Sequence, residues 1–155
     1  MARHDKKIIQ SRLGEREVDT DKVIVFPRGL IGYEDKREFT LLQIREGAPL
    51  LVLQSMEDPG VGLLVADPFS FVPDYTLRIS DAEQRMLKAE NASELAVLVT
   101  ASIPPGKPEE TALNLLGPIL INHQARLGLQ VPQMEGNTPA RVFVHTREAT
   151  QQPAE

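Results

Sequence analysis

Two apolar runs, 50–53 and 61–66, are too short and too β-branched to favour a helix. Glu57-Asp58-Pro59-Gly60 between them is turn chemistry, so the stretch reads as a central β-hairpin. Both runs are continuously apolar rather than alternating, which predicts strands covered on both faces. Before this hairpin, 7–18 alternates loosely and reads as one long strand with Gly14 as a bulge, and 23–26 and 38–45 read as two more. Gly29 and Gly32 bracket Leu30-Ile31 in a loop that calls for positive φ.

After the hairpin, two prolines in 67–75 forbid regular pairing, and 76–79 alternates as a half-exposed segment would. Ser80-Asp81-Ala82-Glu83 is a capping box opening one short helix over 81–89, with Ala82, Met86 and Leu87 as its buried side, suited to plugging a barrel end. A buried strand at 95–102 follows, then strands at 111–116 and 119–122. These flank Gly117-Pro118, where the missing amide hydrogen implies a bulge or a switch between sheets. A partner strand at 128–131 and a weaker one at 141–146 complete the set. The fold class predicted is mainly β: one antiparallel barrel or roll with a short capping helix, spanning 1–147, with a mobile tail at 148–155 that has nothing to bury.

The length suits one domain with a real core. No apolar run approaches a membrane span and the first twelve residues hold no signal-like apolar stretch, so a cytoplasmic protein is expected. The chain has no cysteine, which removes disulfides, zinc–cysteine sites and thiol catalysis. The net charge of -5 is unevenly placed. Eight acids (Glu57, Asp58, Asp67, Asp74, Asp81, Glu83, Glu90, Glu94) face three bases (Arg78, Arg85, Lys88) between 57 and 94, while the remaining positions balance. Direct nucleic-acid binding is disfavoured, because phosphate contacts need a basic stripe, and a basic protein partner fits better.

Catalytic chemistry is thin. Of three histidines, His4 and His145 lie near the ends and only His123 follows a core strand. Gln54-Ser55 lacks the glycines of a nucleophile elbow. A small-molecule-binding barrel or hydrolase using His123 and Asp67 is the alternative reading. No spacing is distinctive for a metal or cofactor. The aromatics are more telling: Phe69, Phe71 and Tyr75 crowd an acidic, non-regular loop at spacings that cannot all point inward. Such a loop describes a protein–protein anchor with a charged rim, unless the two phenylalanines simply close the barrel end.

Gly29-Leu30-Ile31-Gly32-Tyr33, Leu53-Gln54-Ser55, Asp67-Pro68-Phe69, Asp74-Tyr75, Leu113-Asn114-Leu115 and Pro118-Ile119-Leu120-Ile121-Asn122, in this order, resemble the FliW family of flagellar assembly factors. The likeness covers roughly 23–131; Gly117 stands where the family pattern has Ala, and Pro132 where it has an apolar residue. The resemblance implies a non-enzymatic, cofactor-free β-barrel that binds flagellin. When free, it binds the translational repressor CsrA and so relieves repression of flagellin messenger RNA. It also implies a structural role for Asn114 and Asn122 around Gly117-Pro118. For the CsrA contact the expected residues are Glu57, Asp58, Asp67, Phe69, Asp74 and Tyr75, with a chain that is monomeric alone.

Overall fold

The computed structural model describes residues 5–133 and 140–143. Within them a hairpin of β1 (Lys6–Ser11) and β2 (Gly14–Asp19) stands apart from one large sheet. The sheet comprises β3 (Ile24–Val25), β4 (Glu38–Gln43), β5 (Leu51–Ser55), β6 (Gly62–Ala66), β7 (Ala96–Ser102), β8 (Ala112–Asn122), β9 (Leu127–Gln130) and β10 (Arg141–Phe143). Its order is β10-β8-β7-β6-β5-β4-β3-β9, and β9 pairs back onto β8, closing a seven-stranded barrel with β10 as an added edge. All pairings are antiparallel except Val25 with Leu127. The expected antiparallel barrel is therefore present, with one parallel seam.

The barrel interior is filled by side chains that alternate along the strands: Ile24, Phe39, Leu53, Val65, Leu98, Ile119 and Ile121, joined by Phe26 and Leu30. Phe26 and Phe39 meet edge to face at 5.4 Å between ring centres, and both are fully buried. Each such side chain contributes about 1.5–3 kcal/mol by leaving water. Leu30 reaches inward because the 29–34 loop folds tightly on itself. Gly29 has φ +66, and a Cβ there would lie 2.6 Å from the Tyr33 carbonyl oxygen.

The outer wall is covered too, which accounts for the continuous apolar runs in the central hairpin. Ile9 and Val18 of the β1–β2 hairpin pack on Leu42 and Val52. The residues of 67–77 cover Ala66, Val99, Leu113 and Leu115. Next, α1 (Asp81–Met86) brings Leu87 and Ala89 onto Leu120 and Leu129. The helix thus seals the wall over β8 and β9 and does not plug an end.

Four expectations change. The span 7–18 is a hairpin rather than one strand: Ser11 pairs with Gly14 across the two-residue turn Arg12-Leu13, and Gly14, where β2 begins, has φ +93. Loose alternation on both sides of one glycine suits a two-strand ribbon as well as a bulged strand. The spans 111–116 and 119–122 are one strand, β8. While β7 advances from Leu98 to Thr100, β8 advances from Asn114 to Ile119, so Gly117-Pro118 swells outward. At that swelling β8 exchanges its outer neighbour from β10 to β9, the switch that the proline implied.

The helix ends at Met86 rather than Ala89, because Lys88 turns to φ 56 and the Gln84 amide donates to the exiting carbonyls of Ala89 and Glu90. Its capping box is present, but Ala82 is exposed and the buried contacts come from Leu87 and Ala89. The final strand is seen at Arg141–Phe143; its expected remainder, the tail at 148–155, His4 and His145 lie outside the described residues.

Candidate protein-interaction surface

The six residues expected to meet a partner fall into two groups at opposite ends of the β5–β6 pair. Glu57 and Asp58 sit in the turn joining the strands beyond Ser55 and Gly62, whereas 67–75 begins where β6 leaves the sheet at Ala66. The length of β6 separates them by about 13 Å, at the usual rise per strand residue.

At the first end the acids serve the fold. Glu57 Oε1 accepts from the amides of Arg37 and Glu38 at 2.8 and 3.2 Å, tying the long loop after β3 to the turn. Asp58 Oδ1 accepts from the Gly60 amide at 2.9 Å, and the Ser55 hydroxyl oxygen accepts from the amides of both Glu57 and Asp58. These bonds fix the direction of each carboxylate.

At the second end the chain builds a small platform. Asp67 caps the short turn Pro68–Ser70, its carboxylate accepting from the Phe69 amide at 2.9 Å. Pro68 is buried, and Phe71 and Val72 pack toward Leu113 and Leu115. Phe69 is left 40% exposed, with its ring edge-on to Tyr75 at 5.8 Å. Asp74, also exposed, directly precedes Tyr75 in the chain. Tyr75 is the prop beneath: its ring is buried and its hydroxyl donates to the Leu115 carbonyl at 2.7 Å, inside the β8 swelling. The two phenylalanines therefore do not close a barrel end; one faces solvent and the other rests on the wall.

Burial pushes the Tyr75 phenol up to about 12. A folded-state pKa above the unfolded value near 10 means that the folded protein keeps a proton the unfolded chain has lost. This contribution is complete below pH 10 and is lost as pH rises toward 12. Tyr75→Phe is expected to flatten the fall in urea-unfolding stability across that window and to cost about 1 kcal/mol at neutral pH from the missing hydrogen bond.

His123 and Asp67 do not converge. Asp67 follows Ala66, which pairs with Val99, while His123 lies beyond Ile121, which pairs with Ala96. That places them two strands apart and about 13 Å along the strand direction. No group of three metal-ligating side chains occurs among the described residues, and no helix there is long and apolar enough to cross a membrane. Asn122 is structural, but it serves a different neighbourhood from the one expected. Its side-chain amide donates to the Leu87 carbonyl at 2.8 Å, and its carbonyl accepts from Gln124 and Ala125, joining the helix exit to the β8–β9 turn. Asn114 does hold the swelling, accepting from the Leu116 amide. Sequence reasoning passed over Ile31 and Phe143, which are 59% and 49% exposed. The only signal for Ile31 was its place at the tip of a glycine-bounded loop.

The family model described as FliW protein matches residues 7–144. Among similar relatives, the flagellar assembly factor FliW of Nitratidesulfovibrio vulgaris (strain Hildenborough) is 60% identical over 149 residues, 96% of this chain and 86% of that protein. The protein of the same name from Desulfovibrio desulfuricans is 53% identical over 148 residues, 94% of this chain and 89% of its own. A crystal structure of the flagellar assembly factor FliW superposes with a TM-score of 0.80 at 26% identity, covering 92% of this chain and 99% of that one. The chain belongs to the FliW family.

Proposed function

We propose that this protein is a flagellar assembly factor that acts in the cytoplasm without catalysis, by exchanging protein partners. It holds newly made flagellin. Once flagellin is exported, the freed factor binds CsrA and withdraws it from flagellin messenger RNA. The family resemblance supplies both partners, and the coarser role rests on relatives named as flagellar assembly factors.

The observation that carries the CsrA contact is the exposed Phe69 ring in the acidic segment from Asp67 to Asp74, set on a platform that Tyr75 locks to Leu115. A half-exposed aromatic held in one place within an acidic segment has the make-up of an interface anchor. The two carboxylates of the segment attract a basic surface and speed the encounter. Glu57 and Asp58, at the other end of β6, add to the overall field rather than to the same contact.

The test is capture from lysate of the source bacterium with tagged, full-length protein. Flagellin is expected when export is blocked, and CsrA when flagellin is absent. Recovery of neither under both conditions contradicts the proposal.

A further inference from the structure

Beyond the closed barrel, β7, β8 and β10 continue as a three-stranded flap, and on its inner face Ser102, Asn114, Arg141 and Phe143 are exposed. Val65, Thr100, Asn114 and Arg141 form one cross-strand row, the first of them in the barrel core, so the row runs from the interior out onto this face. Two adjoining grooves cover the face and share Thr100, Ala101 and Asn114. One, of about 460 Å³, reaches Ile31 and Leu63; the other reaches Arg141.

The chemistry of this face is distinct from that around Phe69. Ile31 is held outward because its amide donates to Gln130 Oε1 at 2.9 Å, while Gln130 Nε2 donates to the Gly117 carbonyl at 3.0 Å. A Cβ on residue 117 would lie 3.0 Å from that same Nε2, so Gly117 suits the latch. At the far end Phe143 is 49% exposed, with the Arg141 guanidinium 5.5 Å from its ring centre. Among the described residues Arg141 is the one charged side chain lining either groove, and no carboxylate among them lies within ion-pair distance of it. The described residues of the face thus offer aliphatic and aromatic surface, hydroxyl and amide groups, and the Arg141 guanidinium. β10 is also the last strand of the sheet order, an edge beside which an extended chain can lie.

We propose that this inner face, from Ile31 across Asn114 to Arg141 and Phe143, is a second docking surface. Its occupant is an extended protein segment that presents aliphatic side chains to Ile31, Leu63 and Phe143 and one carboxylate to Arg141. The complement is opposite in sign to the one that Asp67 and Asp74 select, and the two surfaces lie on opposite faces of the β7–β8–β10 flap, whose outer residues Val99, Leu113 and Val142 pack with the 67–77 platform.

The experiment uses the isotope-labelled full chain and two capped peptides of about ten residues, rich in Ser and Thr, each with two leucines. One carries a central Glu and the other a central Lys as its only charge. Titration of the Glu peptide is expected to shift the amide resonances of Ile31, Thr100, Asn114, Arg141 and Phe143 saturably while leaving those of Phe69 and Asp74 still. The Lys peptide is expected to bind about three- to tenfold more weakly, and Arg141→Glu to reverse that preference. The spectrum of the variant reports at once whether it is folded, and Ile31→Ser, at an exposed position, supplies a second variant that weakens both peptides. Equal affinity for the two peptides, shifts centred on Phe69, or no saturable shift overturns the proposal. Concentration-dependent self-association through this face overturns it as well, by assigning the surface to a second copy of the chain.

Discussion

Gly128→Ala is expected to lose 3 kcal/mol or more of stability, on the order of the worst overpacking substitutions, and to lower the urea midpoint accordingly. Gly128 pairs with Ile121 on the inner face of β9, directly over the fully buried Phe26 ring. A Cβ at 128 would fall 2.3 Å from Phe26 Cε2 and 2.4 Å from Cζ. No rotamer change is cheap there, because Phe26 is wedged edge to face against Phe39 and capped by Leu30. A double variant separates the clash from simple loss of packing. Phe26→Leu alone is destabilising by leaving a cavity, but combined with Gly128→Ala it gives back part of the loss, since the added methyl occupies the space vacated. Strict additivity of the two would show that the clash is not what makes alanine costly.

Gln54→Leu is the second. Gln54 is fully buried, yet every polar atom of its side chain is engaged. Oε1 accepts from the Arg12 amide at 3.0 Å, and Nε2 faces the carbonyls of Ser55, Asp58 and Pro59 at 3.1–3.3 Å. Arg12 completes the knot by donating from Nη1 to the Gly62 carbonyl at 2.7 Å. One amide thus ties the tip of the β1–β2 hairpin to the acidic turn, and the fit needs a glycine at 62, where a Cβ would lie 2.8 Å from Gln54 Oε1. Leucine fills the volume but leaves buried donors and acceptors unmatched. A loss of about 2–4 kcal/mol is expected, with faster amide hydrogen exchange across β1 and β2. Slow exchange in the hairpin of this variant would mean that the apolar contacts of Ile9 and Val18 suffice to hold it.

Much of this was legible beforehand, for physical reasons that differ by element. Turn and capping chemistry is local, so Glu57-Asp58-Pro59-Gly60 and the Ser80–Glu83 box could be read directly, and so could two-sided burial of the central hairpin. The hairpin hidden in 7–18 could not, because one glycine marks a turn and a bulge alike. Nor could the unity of β8, since Gly117-Pro118 breaks local regularity while long-range pairing to β9 and β10 carries the strand through. At the candidate surface, composition located the acids and aromatics but not their separation. That Tyr75 faces inward to Leu115 while Phe69 faces out depends on contacts forty residues away in sequence.

The most direct test of the central claim is calorimetric titration of CsrA into three forms of the protein at low and moderate salt. These are the parent, Asp67→Asn with Asp74→Asn, and Glu57→Gln with Asp58→Asn, substitutions that remove charge but leave an oxygen to accept the local amide bonds. The first pair is expected to weaken binding about tenfold at low salt and to flatten its salt dependence, while the second pair has a much smaller effect. Parent-like affinity and salt dependence in the Asp67/Asp74 variant would contradict the claim.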